Sequence, residues 1–160
     1  MKVAVTTALL VVVAIASSRA QIYKPAIELT PAPSATLTAG TNGRISVRVK
    51  LPSDVHVQSD KPNDPSLIPT ALVLPPLPGV TLAGVTYPEA TPFQLAGRAT
   101  PLVVFGPEFT IDVQLSIAPT AKAGEMKIPA QLRYQACNER VCFAPARAVV
   151  EWTVKIQAAR

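Results

Sequence analysis

The sequence has one histidine, two cysteines and no cluster of basic residues, and these shortages narrow what the chain can do. His56 lies some eighty residues from Cys137 and Cys142, and the three together fall short of the four ligands a structural zinc requires, so no metal is expected. A lone histidine leaves no plausible Ser-His-Asp triad, and no serine stands in a G-x-S-x-G setting, which disfavours hydrolase chemistry. There is no glycine-rich phosphate loop, and no cofactor of any kind is expected. Lysines and arginines are scattered from Lys24 to Arg160, so a nucleic-acid partner is not supported.

What is abundant is proline, with 17 in 160 residues, about twice the usual ~5%. That density is incompatible with long helices and sets aside helical bundles and doubly wound α/β folds. Hydrophobic residues make up 49% and charged residues 16%, the balance of one ordinary globular domain. The first segment reads differently. Lys2 supplies a positive start, Val3 to Ala16 is apolar apart from Thr6 and Thr7, and Ser18-Arg19-Ala20 places small residues at a cleavage site. Residues 1–20 are therefore expected to be a secretory signal peptide, too short in its apolar run to span a bilayer, which needs ~20 apolar residues. No cysteine follows the cleavage site to carry a lipid. Losing Lys2 and Arg19 leaves 13 of the 15 basic residues against 10 acidic ones, a net charge of +3 for a chain expected to be soluble in the periplasm or secreted.

Residues 21–43 read as an extended lead-in with one edge strand at Ala26 to Thr30, and residues 44–157 as the domain. After the turn signal Asn42-Gly43, Ile45, Val47, Val49 and Leu51 alternate with polar residues, the period of a half-buried strand. The same alternation recurs at Phe109 to Ile117 and Val150 to Ile156. Shorter strands are expected at Val55–Gln58, Ala71–Leu74, Val80–Tyr87, Leu102–Phe105 and Lys127–Ala136. Short strands punctuated by Pro and Gly predict an all-β, antiparallel sandwich, in which Pro75-Pro76-Leu77-Pro78-Gly79 is a rigid turn and Trp152 is core. His56, out of phase with Val55 and Val57, faces the opposite side of its strand and reads as a scaffold residue.

Cys137 and Cys142 are separated by Asn138-Glu139-Arg140-Val141, close enough to bond across a tight turn in an oxidising compartment. Two readings are open. The bond is a local clasp in a non-catalytic secreted binding module, or a dithiol pair that cycles. As a staple it is poorly placed, since so short a loop yields only ~2 kcal/mol in the chain-entropy model. Arg140 would favour a thiolate at Cys142 and Glu139 would oppose it.

The stretch Tyr134 to Pro145, YQACNERVCFAP, resembles the active-site region of the amino-terminal domain of DsbD, the bacterial thiol:disulfide interchange protein. Val55 to Leu74, with its L-I-P-T, and Gly79 to Ala90, with its Y-P turn, are similar to other parts of that family, so the likeness spans about Arg44 to Ile156. The resemblance implies an immunoglobulin-like sandwich that takes electrons from a membrane or thioredoxin-like donor and reduces periplasmic disulfide-containing clients. It implies that Cys142 forms the mixed disulfide, that Cys137 resolves it, and that Tyr134, Gln135 and Phe143 line the site. Full-length relatives continue into membrane-embedded and thioredoxin-like regions, and this sequence stops at Arg160, so the expected donor is another polypeptide. The family is similar in covering its pair with a cap carrying an aromatic residue. Thr91 to Thr100, with Pro92, Gly97 and no alternation, is the expected cap loop, with Phe93 as the lid and Leu95 in reserve.

Overall fold

The computed structural model describes residues 24–159; the expected signal peptide and the first residues of the lead-in lie outside the described residues. In chain order the strands are β1 (Glu28–Pro31), β2 (Thr36–Thr38), β3 (Asn42–Lys50), β4 (His56–Gln58), β5 (Ala71–Val73) and β6 (Val80–Thr86). They continue with β7 (Thr91–Phe93), β8 (Leu102–Phe105), β9 (Glu108–Ile117), β10 (Gly124–Tyr134), β11 (Ala136–Cys137) and β12 (Ala146–Gln157). Two four-stranded sheets, β1-β3-β9-β6 and β2-β12-β10-β5, form the sandwich, and a third sheet of shorter strands, β11-β4-β8-β7, carries Cys137. The architecture is the immunoglobulin-like antiparallel β-sandwich expected from the sequence, with one parallel pairing, β2 on β12.

Period-two patterning decides which faces meet. Along β9, Phe109, Ile111, Val113, Leu115 and Ile117 are buried while every residue between them is partly or fully exposed. Along β12 the buried set is Val150, Trp152, Val154 and Ile156, paired in register with β10 from Gly124↔Ile156 to Tyr134↔Ala146. These faces, with Ile45, Val47 and Val49 of β3, make one continuous core. Trp152 locks the two sheets, its Nε1 donating to the carbonyl of Ser46 on β3 at 2.7 Å. Two strands come from the lead-in: β1 pairs with β3 at a sheet edge, and β2 pairs with β12. The proline-rich segment is the expected turn, with Leu77 bridging Val80 around Gly79 at φ 74°, where a side chain would be strained.

Two expected elements differ. Lys127–Ala136 is not one strand: β10 stops at Tyr134, Gln135 belongs to no strand, and β11 begins a different sheet at Ala136. Gln135 makes the handover. Its Oε1 accepts from the Ile68 amide at 2.8 Å, its Nε2 donates to the Phe143 carbonyl at 3.2 Å, and its own carbonyl accepts from the Gln58 amide. The segment Thr91–Thr100 is not wholly loop, because Thr91–Phe93 pairs with Val104–Leu102 as β7. Proline is tolerated there because β7 is the outer strand of its sheet.

Candidate functional site

The small sheet is where the period-two rule acquires chemical meaning. Its one face sends Val57, Phe105 and Ala136 into the main core. The other presents Leu102, Val104 and Cys137, which form a second, separate cluster with Leu67 and Leu95. Phe93 and Cys142 pack against that cluster. Cys137 is directly opposite His56 in the β11–β4 pairing, so the two share this face, and Gln58, two residues along β4, shares it too.

Cys137 and Cys142 are bonded, with Cα atoms 4.0 Å apart, inside the ~7 Å limit for a bridge that needs no backbone movement. The hairpin between them is built by Asn138. Its amide donates to the Val141 carbonyl at 2.9 Å, and its Oδ1 accepts from the amides of Arg140 at 3.0 Å and Val141 at 2.9 Å. The Phe143 amide donates to the Ala136 carbonyl and closes the base of the hairpin. The two sulfurs are not equivalent in access. Cys137 is 0% exposed, whereas Cys142 is half-buried beside Val141, which is 50% exposed.

The segment that includes β7 lies over this cluster. Leu95 is buried in it and the Phe93 ring packs on the His56 ring, centroids 4.2 Å apart and planes tilted by 30°. The Ala96 amide donates to the Glu139 carbonyl at 2.9 Å, joining the segment to the cysteine hairpin. Arg98 pairs with Asp64, whose carboxylate also accepts from the Ser66 amide and hydroxyl. The Ser66 hydroxyl and the Arg98 guanidinium together hold the Asp64 carboxyl down at about 2.

The remaining named residues fall into different surroundings. Phe143 and Gln135 sit at the base of the hairpin. Tyr134 belongs to the main core, with its hydroxyl donating to the Pro25 carbonyl at 2.9 Å, and burial raises its pKa. His56 has a pKa lowered by burial, against the opposing pull of Asp54 and Glu139, and its Nδ1 is buried with no hydrogen-bond partner among the described residues. Sequence reasoning missed Gln58. It is fully buried, and its Nε2 donates to Cys137 Sγ at 3.1 Å and lies 3.8 Å from Cys142 Sγ. Its phase on β4, shared with His56, was readable; that this face meets cysteines 79 positions away was not.

A sandwich with a hairpin disulfide beside a separate apolar cluster, and a segment packed on that cluster and bonded to the hairpin, is a thiol:disulfide exchange-type domain. The family model described as "Thiol:disulfide interchange protein DsbD, N-terminal" matches residues 26–153, and the chain belongs to that family. No curated protein sequence matches. Solved structures that the chain matches at low similarity include one of the aggregative adherence fimbriae of enteroaggregative Escherichia coli, 16% identical over 83% of this chain and 99% of that one, with a TM-score of 0.40. Another is a family 123 glycoside hydrolase from Clostridium perfringens, 11% identical over 79% of this chain and 22% of that one, with a TM-score of 0.34. The chain thus spans under a quarter of that hydrolase, and likenesses this distant say nothing of activity.

Proposed function

We propose that this domain is an extracytoplasmic, periplasmic or secreted module that passes reducing equivalents from a membrane or thioredoxin-like donor to client disulfides through Cys137 and Cys142. The observation that carries the reading is the unequal access of the two sulfurs beneath a segment held by side-chain and backbone contacts. Exchange needs one sulfur that a partner can reach and a second held back to resolve the mixed disulfide. Cys142 fits the first role and Cys137 the second.

The electrons balance as follows. A donor dithiol reduces the Cys137–Cys142 bond and is itself oxidised. The Cys142 thiolate then attacks the client disulfide, the client S–S bond breaks, and one client sulfur leaves as a thiolate that takes up a proton. The Cys137 thiolate attacks Cys142 Sγ, the intramolecular bond re-forms, and the second client sulfur leaves reduced. Phe93 and Leu95 act as the cap that keeps the dithiol from indiscriminate oxidation until a partner docks, and Gln135 and Phe143 brace the hairpin. Tyr134 supports the site from the core side, one residue before Gln135.

Trapping tests this reading. Cys137→Ala removes the resolving sulfur and is expected to accumulate a covalent adduct through Cys142, while Cys142→Ala traps little. If Cys142→Ala traps and Cys137→Ala does not, the roles are reversed. If neither traps in the presence of a donor and both lose a similar ~2 kcal/mol of stability, the bond is a clasp and the exchange reading fails.

A further inference from the structure

Gln58 is fully buried, yet its amide lacks a conventional set of partners. Its Nε2 spends its hydrogen bond on a disulfide sulfur, a weak acceptor, at 3.1 Å, and its Oε1 is buried with no partner among the described residues. The backbone on either side is pinned, with the Gln58 amide donating to the Gln135 carbonyl and its own carbonyl accepting from the Thr70 hydroxyl. As a space-filler glutamine is a poor choice here, since a methionine of similar size would leave no orphaned oxygen.

The same hydrogen bond becomes strong when its acceptor is charged. Cys137 lies among Leu67, Leu95, Leu102 and Val104, surroundings that disfavour a thiolate and raise the pKa of a thiol. Left to that environment, the resolving sulfur would stay protonated and could not attack. We propose that Gln58 donates its side-chain N–H to the Cys137 thiolate and so activates the buried sulfur for resolution, an inference that rests on the exchange reading above and adds a group to its site.

In the resolving step Cys137 first gives its proton to solvent or to the client thiolate released when the mixed disulfide formed. Its sulfur then attacks Cys142 Sγ, the Cys137–Cys142 bond forms, the bond from Cys142 to the client breaks, and the client sulfur leaves with the electron pair. The Gln58 donor is already on the Cys137 sulfur in the bonded state, so it needs no rearrangement as charge appears there or leaves. Cys142, at 3.8 Å, receives less of this help.

The test uses Gln58→Met and Gln58→Asn in the full chain. In the Cys142→Ala background Cys137 is the only thiol, and its pKa is read from thiolate ultraviolet absorbance against pH. Gln58→Met is expected to raise that pKa by about one unit or more, and Gln58→Asn, whose shorter amide retracts the donor, by less. With both cysteines present, and at a pH above the Cys137 pKa of both proteins so that the reduced sulfur is a thiolate, equilibration with glutathione is expected to shift about tenfold toward the disulfide, close to 30 mV, in Gln58→Met. The oxidised Gln58→Met protein should melt no lower than the parent, which a purely structural role for the amide does not allow. An unchanged pKa and an unchanged glutathione equilibrium in either folded variant would overturn the proposal. Neither readout needs a client, so a failure of client trapping is separable from a failure of this inference.

Discussion

Replacing Leu95 by Ala is expected to open the cap without unfolding the sandwich. Leu95 is 8% exposed and packs with Leu67, Leu102, Val104 and Cys137 in a cluster separate from the main core. Leu→Ala in a core costs ~2–5 kcal/mol, and a small cluster near the surface belongs at the low end, about 2 kcal/mol. A segment that opens as a local unit loses that amount from its opening free energy, so the open population rises roughly thirtyfold. Phe93→Ala removes the stack on His56, worth ~1 kcal/mol beyond its area. The double variant should reach on the order of a hundredfold at most, short of additive because both side chains pack on one cluster. The assay is the rate of iodoacetamide modification of reduced Cys142, followed by mass spectrometry at neutral pH. Val154→Ala, a buried site in the sandwich core, is the control for global destabilisation. An unchanged rate in the cap variants, or an equal rise in Val154→Ala, would refute the reasoning and place the shield elsewhere.

Two further outcomes follow from the charges around the site. Arg98→Ala cuts the tie to Asp64 and should speed the same modification only a few-fold, because partly exposed ion pairs hold weakly; a rise as large as that of Leu95→Ala would show that the tether, not the cluster, holds the cap. His56 has a folded-state pKa below its ordinary 6.5, so more than about a unit above that pH it is neutral in both states and contributes no pH dependence. As pH falls below 6.5 the unfolded chain takes up the proton first, and stability declines until the folded histidine also titrates. His56→Phe should flatten that part of the profile in urea melts, and a profile no flatter than the parent's would contradict the burial argument.

Where alternation was regular, the sequence showed the strands: β3, β9 and β12 carry unbroken period-two patterns, and each sends its apolar set into one core. The break after Tyr134 was hidden because Leu132, Tyr134 and Ala136 keep the same phase straight through it. What ends the strand is Gln135 bonding to Ile68 and Phe143, and a pattern along one segment contains no record of such distant partners. β7 escaped notice because three residues with a central proline show no period. At the site, the closeness of Cys137 and Cys142 was legible from their spacing, and the irregular course of residues 94–100 from the glycine and the lack of alternation. The environment of the sulfurs was not, because it depends on β4 lying between β11 and β8 and so turning His56 and Gln58 toward Cys137.

The claim on which the rest depends is that Cys137–Cys142 exchanges. Equilibrating the oxidised protein against graded ratios of reduced and oxidised glutathione or dithiothreitol, with the free thiols counted by mass, gives its reduction potential. An exchange-active pair is expected to be more oxidising than about −300 mV. A value well below that, in the range of structural disulfides, would contradict the account and leave the bond as a clasp on one hairpin.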